Sequence, residues 1–120
     1  IFLRHNKHKL AMSKAVKALN LKLFADEKYL SPSITAITTE GIDAEEFRKT
    51  IKNNFDILLA GGQDHLKGKI FRVGHLGYIN DRDIISVVSA ISSTLLDLDK
   101  ITAQQAGEAL IVVSRYLDGH

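Results

Sequence analysis

The sequence has no cysteine. That excludes a disulfide framework, a thiolate-held metal and a cysteine nucleophile together. It also fits a reducing compartment, so a cytoplasmic location is expected. No apolar run approaches the roughly 20 residues that a membrane-spanning helix needs. The start lacks the charge, apolar run and small-residue cleavage site of a secretory signal, so no membrane partner is expected. Acidic residues are missing through Ala25, a stretch that holds Arg4, Lys7, Lys9, Lys14, Lys17 and Lys22. The remainder carries ten basic and fourteen acidic groups, so the overall net charge of +2 hides a basic start and an acidic rest. A basic helix is the electrostatic footprint of a nucleic-acid or anionic-surface binder, or simply a solvated face or one that meets an acidic neighbour. The stretch has neither interleaved aromatics nor a nucleic-acid motif, which favours the latter readings, and no nucleic-acid partner is expected.

What is present is the composition of an ordinary globular protein: 120 residues, 45% apolar and 25% charged. That length holds one domain with a modest core, and residues 1–120 are read as a single domain. The first residue is Ile1, so the expectation is a processed chain or one cut from something longer. Leu3, Leu10, Ala11, Ala15 and Leu19 approximate a helical stripe over residues 2–19. "LKLF" at 21–24 alternates like a short edge strand, and Pro32, the sole proline, ends what precedes it. "SITAITT", 33–39, is β-branched and alternating, which reads as strand until Gly41 breaks it. Asp43 with Glu46 has capping-box spacing for a helix, with Ile42 and Phe47 placed to staple its entry.

Two apolar runs, 55–59 and 70–73, then flank a loop holding Gly61, Gly62 and Gly68, and both read as strands. Asn80 is placed to cap a helix with Asp81 and Asp83 in its first turn, where the dipole favours negative charge. Ile84, Ile85, Val88, Ile91 and Leu95 share one side of it. Thr102 and Gln105 form a second capping-box pair. The last helix carries a stripe of Ala106, Leu110, Val113 and Leu117, and Gly119 ends it. The implied fold class is α+β, a two-layer sandwich of helices on a small, mainly antiparallel sheet.

Familiar chemical constellations are missing. "GGQDHLKGK" has glycines and a lysine, but neither Ser nor Thr follows Lys69 and a strand comes next, so a phosphate-binding P-loop is excluded in favour of a hairpin loop. The histidines are scattered. His5 and His8 stand three apart on a helix, yet no third ligand is near, and no metal site is expected. No nucleophile-elbow pattern appears.

The singular stretch is "KIFRVGHLGYINDRD", residues 69–83. In a strand, Phe71 and Val73 point one way and Arg72 the other. Gly74 and Gly77 let the chain bend sharply and let another group come close to the backbone. A guanidinium on a strand end near small residues presents a planar fork suited to a carboxylate. On composition alone a surface arginine and an anion-binding one are equally consistent.

The run "GGQDHLKGKIFRVGHLGYINDRDIISVVSAI" resembles the C-terminal segment of the class V aminotransferases, which use pyridoxal 5'-phosphate. The resemblance extends back through "TAITTEGIDAEEFRKTI" to "RHNKHKLAMSKAVKALNLKLF", and so covers essentially the whole chain. It implies the aminotransferase small-domain fold, with residues 1–120 as the C-terminal small domain of a larger homodimeric enzyme. It also implies transfer of an amino group from alanine or serine to glyoxylate or pyruvate. Arg72 then matches the arginine that binds the substrate α-carboxylate. Gly61 and Gly62 fall near the active-site mouth, while His75 and Tyr78 support the turn without a catalytic role. The resemblance puts the Schiff-base lysine, the partner of the pyridine nitrogen and most phosphate ligands in the preceding large domain. Lys67 and Lys69 match none of these, so no catalytic or cofactor-binding residue is expected here and the fragment alone is expected to be inactive. Some relatives bear the name soluble hydrogenase, small subunit, although nickel–iron and iron–sulfur centres need cysteine thiolates. Two other readings stay open: a ferredoxin-like regulatory or subunit-interaction module without catalysis of its own, and a nucleic-acid module built on the basic first helix.

Overall fold

A computed structural model of the chain describes residues 2–24, 34–74 and 80–119, with side chains described from Asn6 onward. Helix α1 (Phe2–Ala18) leads to strand β1 (Lys22–Leu23) and strand β2 (Ile34–Thr38). Helix α2 (Ala44–Phe55) follows, then the two-residue strand β3 (Ala60–Gly61), a 3-10 turn at Asp64–Leu66 and strand β4 (Ile70–Gly74). Helices α3 (Asp81–Asp97) and α4 (Ala103–Leu117) close the described chain. The strands form one antiparallel sheet in the order β1-β2-β4-β3. This is the α+β arrangement expected from the sequence. No helix among the described residues is long and apolar enough to cross a membrane.

Alternation divides the sheet. Ile37, Phe71 and Val73 face the helices and join the main core. Phe47 and Ile51 of α2 come down on the same layer, with the Phe47 and Phe71 rings 5.3 Å apart and tilted by 33°. Helix α3 contributes Ile84, Val88, Ile91 and Leu95, and α4 contributes Ala109, Val113 and Leu117. The opposite face of the sheet holds a small separate cluster, Ala36 and Ile70 with Phe24, Ile34 and Leu66 against them.

Local signals set most helix ends. Asn80 and Asp83 exchange bonds in a complete capping box, at 3.0 and 2.9 Å, and Thr102 and Gln105 do the same at 3.1 and 2.9 Å. The α2 start departs from the expected box: the Asp43 carboxylate accepts from the Glu45 N–H at 2.9 Å, one residue earlier than a capping box uses. Gly68 adopts φ +82°, a left-handed turn in which other residues are strained. Its carbonyl accepts from the Ala44 N–H at 3.0 Å and ties the turn before β4 to the first residue of α2.

Three expectations are corrected. The run 55–59 is not a strand. Phe55 ends α2, Asp56 turns left-handed at φ 56° with its N–H on the Lys52 carbonyl, and strand pairing begins only at Ala60. Asp tolerates that conformation better than most residues, so the helix stops without a glycine. In α1 the buried line runs His8, Ala11, Met12, Ala15, Val16 and Leu19, which leaves Leu10 beside it and 44% exposed. In α4 the stripe centres on Ala109 rather than on Ala106 and Leu110, which are only partly buried.

Candidate functional site

Arg72 lies on the sheet face away from the helices, as its place between Phe71 and Val73 predicts. Its neighbours across the ladder are Ala36 on β2 and Ala60 on β3, so small side chains flank it on both sides. Around it the face is apolar, with Ile34, Ile70, Phe24 and Leu66. The Arg72 Nε–H donates to the Gly61 carbonyl at 2.8 Å, which orients the guanidinium plane relative to the sheet edge. A half-buried guanidinium on such a face presents a planar fork for a carboxylate or a phosphate and is no metal ligand.

Of the two glycines next to it, Gly62 is held to glycine by backbone, while Gly61 lies against the movable ends of two side chains. A Cβ on Gly61 would lie 2.6 Å from Glu45 Oε2 and 2.8 Å from Arg48 Nη1. A Cβ on Gly62 would lie 2.4 Å from the Leu66 carbonyl oxygen and 2.8 Å from Ile70 Cγ1. Gly74, at the end of β4, has open space at its Cβ position. Gly77, His75 and Tyr78 lie outside the described residues, as does His120. A cavity of about 530 Å³ sits at the Gly74 end of the strand, lined by Ile57, Leu59, Val73, Asp83 and Val87 among others. Val73 rather than Arg72 faces it, which puts it on the helix side of the sheet.

The basic start of the chain is largely engaged within the fold. Lys7 reaches Asp81 at 3.4 Å, Lys22 reaches Glu40 at 3.3 Å, and Lys14 sits 5.0 Å from the centroid of the Tyr116 ring. Lys9 donates to the Ile34 carbonyl, and burial pushes its ammonium pKa down. His8, fully enclosed, places Nε2 3.0 Å from Asp81 Oδ1 and joins α1 to the first turn of α3. Burial pushes the Asp81 carboxyl up, but the hydrogen bond from His8 and the charge of Lys7 outweigh it and hold the pKa below the ordinary value. Sequence spacing offers His8 as half of a weak metal pair with His5. The fold gives it to a carboxylate 73 residues away instead. Among the described residues no group of three or more His, Cys, Asp or Glu is placed to hold a metal.

The described residues beside Arg72 offer a single guanidinium for an anion, which suits a carboxylate and is too little to hold pyridoxal phosphate. Apolar side chains surround the guanidinium, Thr38 and Lys22 lie further along the same face, and Lys67 and Lys69 sit exposed in the turn before β4. The lysine that the register puts on that face, Lys22, is ion-paired with Glu40 at 3.3 Å.

No family model matches the chain. It is 54% identical over 98 residues to the soluble hydrogenase 42 kDa subunit of Anabaena cylindrica, covering 82% of this chain and 26% of that protein. It is 30% identical over 120 residues to the serine–glyoxylate aminotransferase of Methylorubrum extorquens, covering 98% and 29%. With the (S)-ureidoglycine–glyoxylate transaminase of Bacillus subtilis it shares 32% identity over 111 residues, covering 91% and 26%. The crystal structure of the Bacillus subtilis ureidoglycine–glyoxylate aminotransferase matches this fold with a TM-score of 0.83, over 95% of this chain and 30% of that one. The chain thus spans less than a third of the length of these relatives. Its homologues are class V aminotransferases, which it covers as a C-terminal fragment, together with proteins named as soluble hydrogenase subunits. The small antiparallel sheet with its helices is the aminotransferase small-domain fold. These relatives do not favour the regulatory-module reading.

Proposed function

We propose that residues 1–120 form the small domain of a pyridoxal-phosphate-dependent class V aminotransferase, and that Arg72 holds the substrate α-carboxylate. The full-length enzyme moves an amino group from a small amino acid, alanine or serine, to a 2-oxo acid, glyoxylate or pyruvate. The observation that carries this reading is the half-buried Arg72 among apolar neighbours on its sheet face, with its Nε fixed by the Gly61 carbonyl. A carboxylate paired with such a fork is held in plane as well as in place, and that orientation turns binding into a productive approach of the reacting carbon. Gly61 and Gly62 stand at the mouth of the site on this reading.

Pyridoxal phosphate supplies the electron sink for the transfer and is held mainly by the rest of the full-length protein. This chain contributes the carboxylate clamp and an apolar wall, so the piece alone is inactive. The whole enzyme is a cytoplasmic homodimer. A metal-based hydrogenase chemistry, suggested by the names of some relatives, finds no thiolate in this stretch to hold its centre.

The test compares the full-length parent, supplied with pyridoxal phosphate, with the 120-residue chain under the same conditions. Alanine or serine is the donor and glyoxylate or pyruvate the acceptor. Transamination by the parent and none by the chain is the expected result. A parent that neither binds the cofactor nor transaminates overturns the reading.

A further inference from the structure

Arg48 belongs to α2, yet it reaches the edge of the sheet. Its Nε–H donates to the Leu59 carbonyl at 2.9 Å, and its Nη1 donates to Glu45 Oε1 at 2.7 Å. The two side chains are only 26% and 30% exposed, unlike the Lys52–Asp56 pair further along the same helix at 50% and 89%. Neither is needed to end the helix, because Asp43 caps its start and Asp56 its finish. The second Glu45 oxygen, Oε2, is buried without a partner among the described residues. A partly buried pair with an orphaned oxygen is a poor device for stability and a better one for fixing a geometry.

What the pair fixes is Gly61. Glu45 Oε2 and Arg48 Nη1 occupy the space where a side chain at that position would be. On its other side the Gly61 carbonyl takes the Arg72 Nε–H at 2.8 Å. Strand β3 is two residues long and meets β4 through only Ala60–Arg72 and Gly61–Phe71. So short an edge strand offers little ladder to set the direction of its own carbonyl. The Arg48 grip on Leu59, two residues upstream, and the ion pair against the Gly61 Cα supply that setting from α2.

We infer that Glu45 and Arg48 are positioning residues for Arg72, acting through the backbone of Leu59 and Gly61 to hold the guanidinium plane for the substrate carboxylate. The inference rests on the carboxylate-clamp reading above. A bidentate pair depends on the angle of the plane, so a guanidinium free to tilt holds the carboxylate less tightly. Loosening the support is a smaller disturbance than removing the arginine and should act on the same step.

The test uses the full-length enzyme with pyridoxal phosphate, measuring kcat and KM for alanine at saturating glyoxylate. Four forms are compared: wild type, Arg48→Gln, Arg72→Ala and the double variant. Arg48→Gln is expected to raise KM for alanine on the order of tenfold with kcat little changed, the signature of weakened binding of the carboxylate. In the Arg72→Ala background it should add almost nothing, because the group it positions is gone. A merely structural role would cost the same in both backgrounds. Gly61→Ala pushes the ion pair aside without removing a charge and is expected to raise KM likewise, so the test stands even if Arg48→Gln folds poorly.

If Arg72→Ala is impaired while Arg48→Gln and Gly61→Ala keep the wild-type KM, the positioning role falls and the clamp survives. An Arg48→Gln penalty that persists in full without Arg72 overturns the role in the same way. If Arg72→Ala itself matches wild type, the clamp reading falls and the positioning role with it.

Discussion

Strand β4 has two sides with different fates. Phe71 and Val73 are enclosed between the sheet and the helices, with the Phe47 ring against Phe71. Arg72, one residue away from each, stands on the opposite face between two alanines, its Nε tied to a backbone carbonyl. On the proposed function, the two-residue period of a strand separates the work of holding the fold from the work of meeting a ligand. Substitutions on the helix side should register in unfolding, and those on the Arg72 side in substrate binding.

The strongest way to sharpen this contrast is Phe71→Ala. Removing a fully buried ring that packs on Phe47 is expected to destabilise the chain by about 3–5 kcal/mol, since the surrounding core relaxes only in part. The urea midpoint reads the loss directly, and a shift below about 1 kcal/mol would show that the helix side is not the seat of stability. Gly62→Ala comes next, at about 1–3 kcal/mol, because its new Cβ meets the Leu66 carbonyl and backbone yields less than a flexible side chain. Circular dichroism during thermal unfolding checks it, with an unchanged transition as the contrary result. Thr102→Ala loses the side-chain half of the α4 capping box and should cost about 1 kcal/mol, again seen in the urea midpoint.

The smallest effect belongs to the His8–Asp81 pair, remote from both faces of β4. Asp81 has a folded-state pKa below its ordinary value of 3.8. Its carboxylate thus contributes stability that is fully present above that value and is lost as pH falls through the lower, folded one. The carboxylate is half exposed and screened, so the contribution is modest. Wild type should exceed Asp81→Asn in stability at neutral pH, and the gap should close in acid below the ordinary carboxylate value. A gap that instead widens in acid would contradict the sign. Denaturant titrations at a series of pH values measure it.

Features encoded within a few residues were legible in the sequence. The Asn80 and Thr102 caps each need only a partner three positions on, and the outward direction of Arg72 follows from its two neighbours. Features encoded by distant partners were not, and neither was one local exception. Asp56 ends α2 in a left-handed turn where apolar residues on both sides suggested a strand. The enrichment of Asp and Asn in that conformation was the one available hint, and Asn20, Asp64 and Asp99 adopt it as well. His8 is buried because α3 brings Asp81 to it. Glu45 and Arg48 read as ordinary helix-surface charges until the fold laid Gly61 against them. At the site itself, sequence pattern singled out Arg72 and its glycines but not the ion pair behind them.

The most direct measurement pairs two quantities on Arg72→Ala: kcat/KM of the full-length enzyme for alanine and the urea midpoint of the same protein. Removing a charged, bidentate clamp while the core stays intact predicts a fall in kcat/KM of roughly a hundredfold, about 2.7 kcal/mol. The midpoint should move by no more than about 1 kcal/mol, the worth of one hydrogen bond to a backbone carbonyl. Wild-type kcat/KM in the variant, or a loss that merely tracks unfolding, would contradict the division of β4 into a stabilising face and a substrate-binding one.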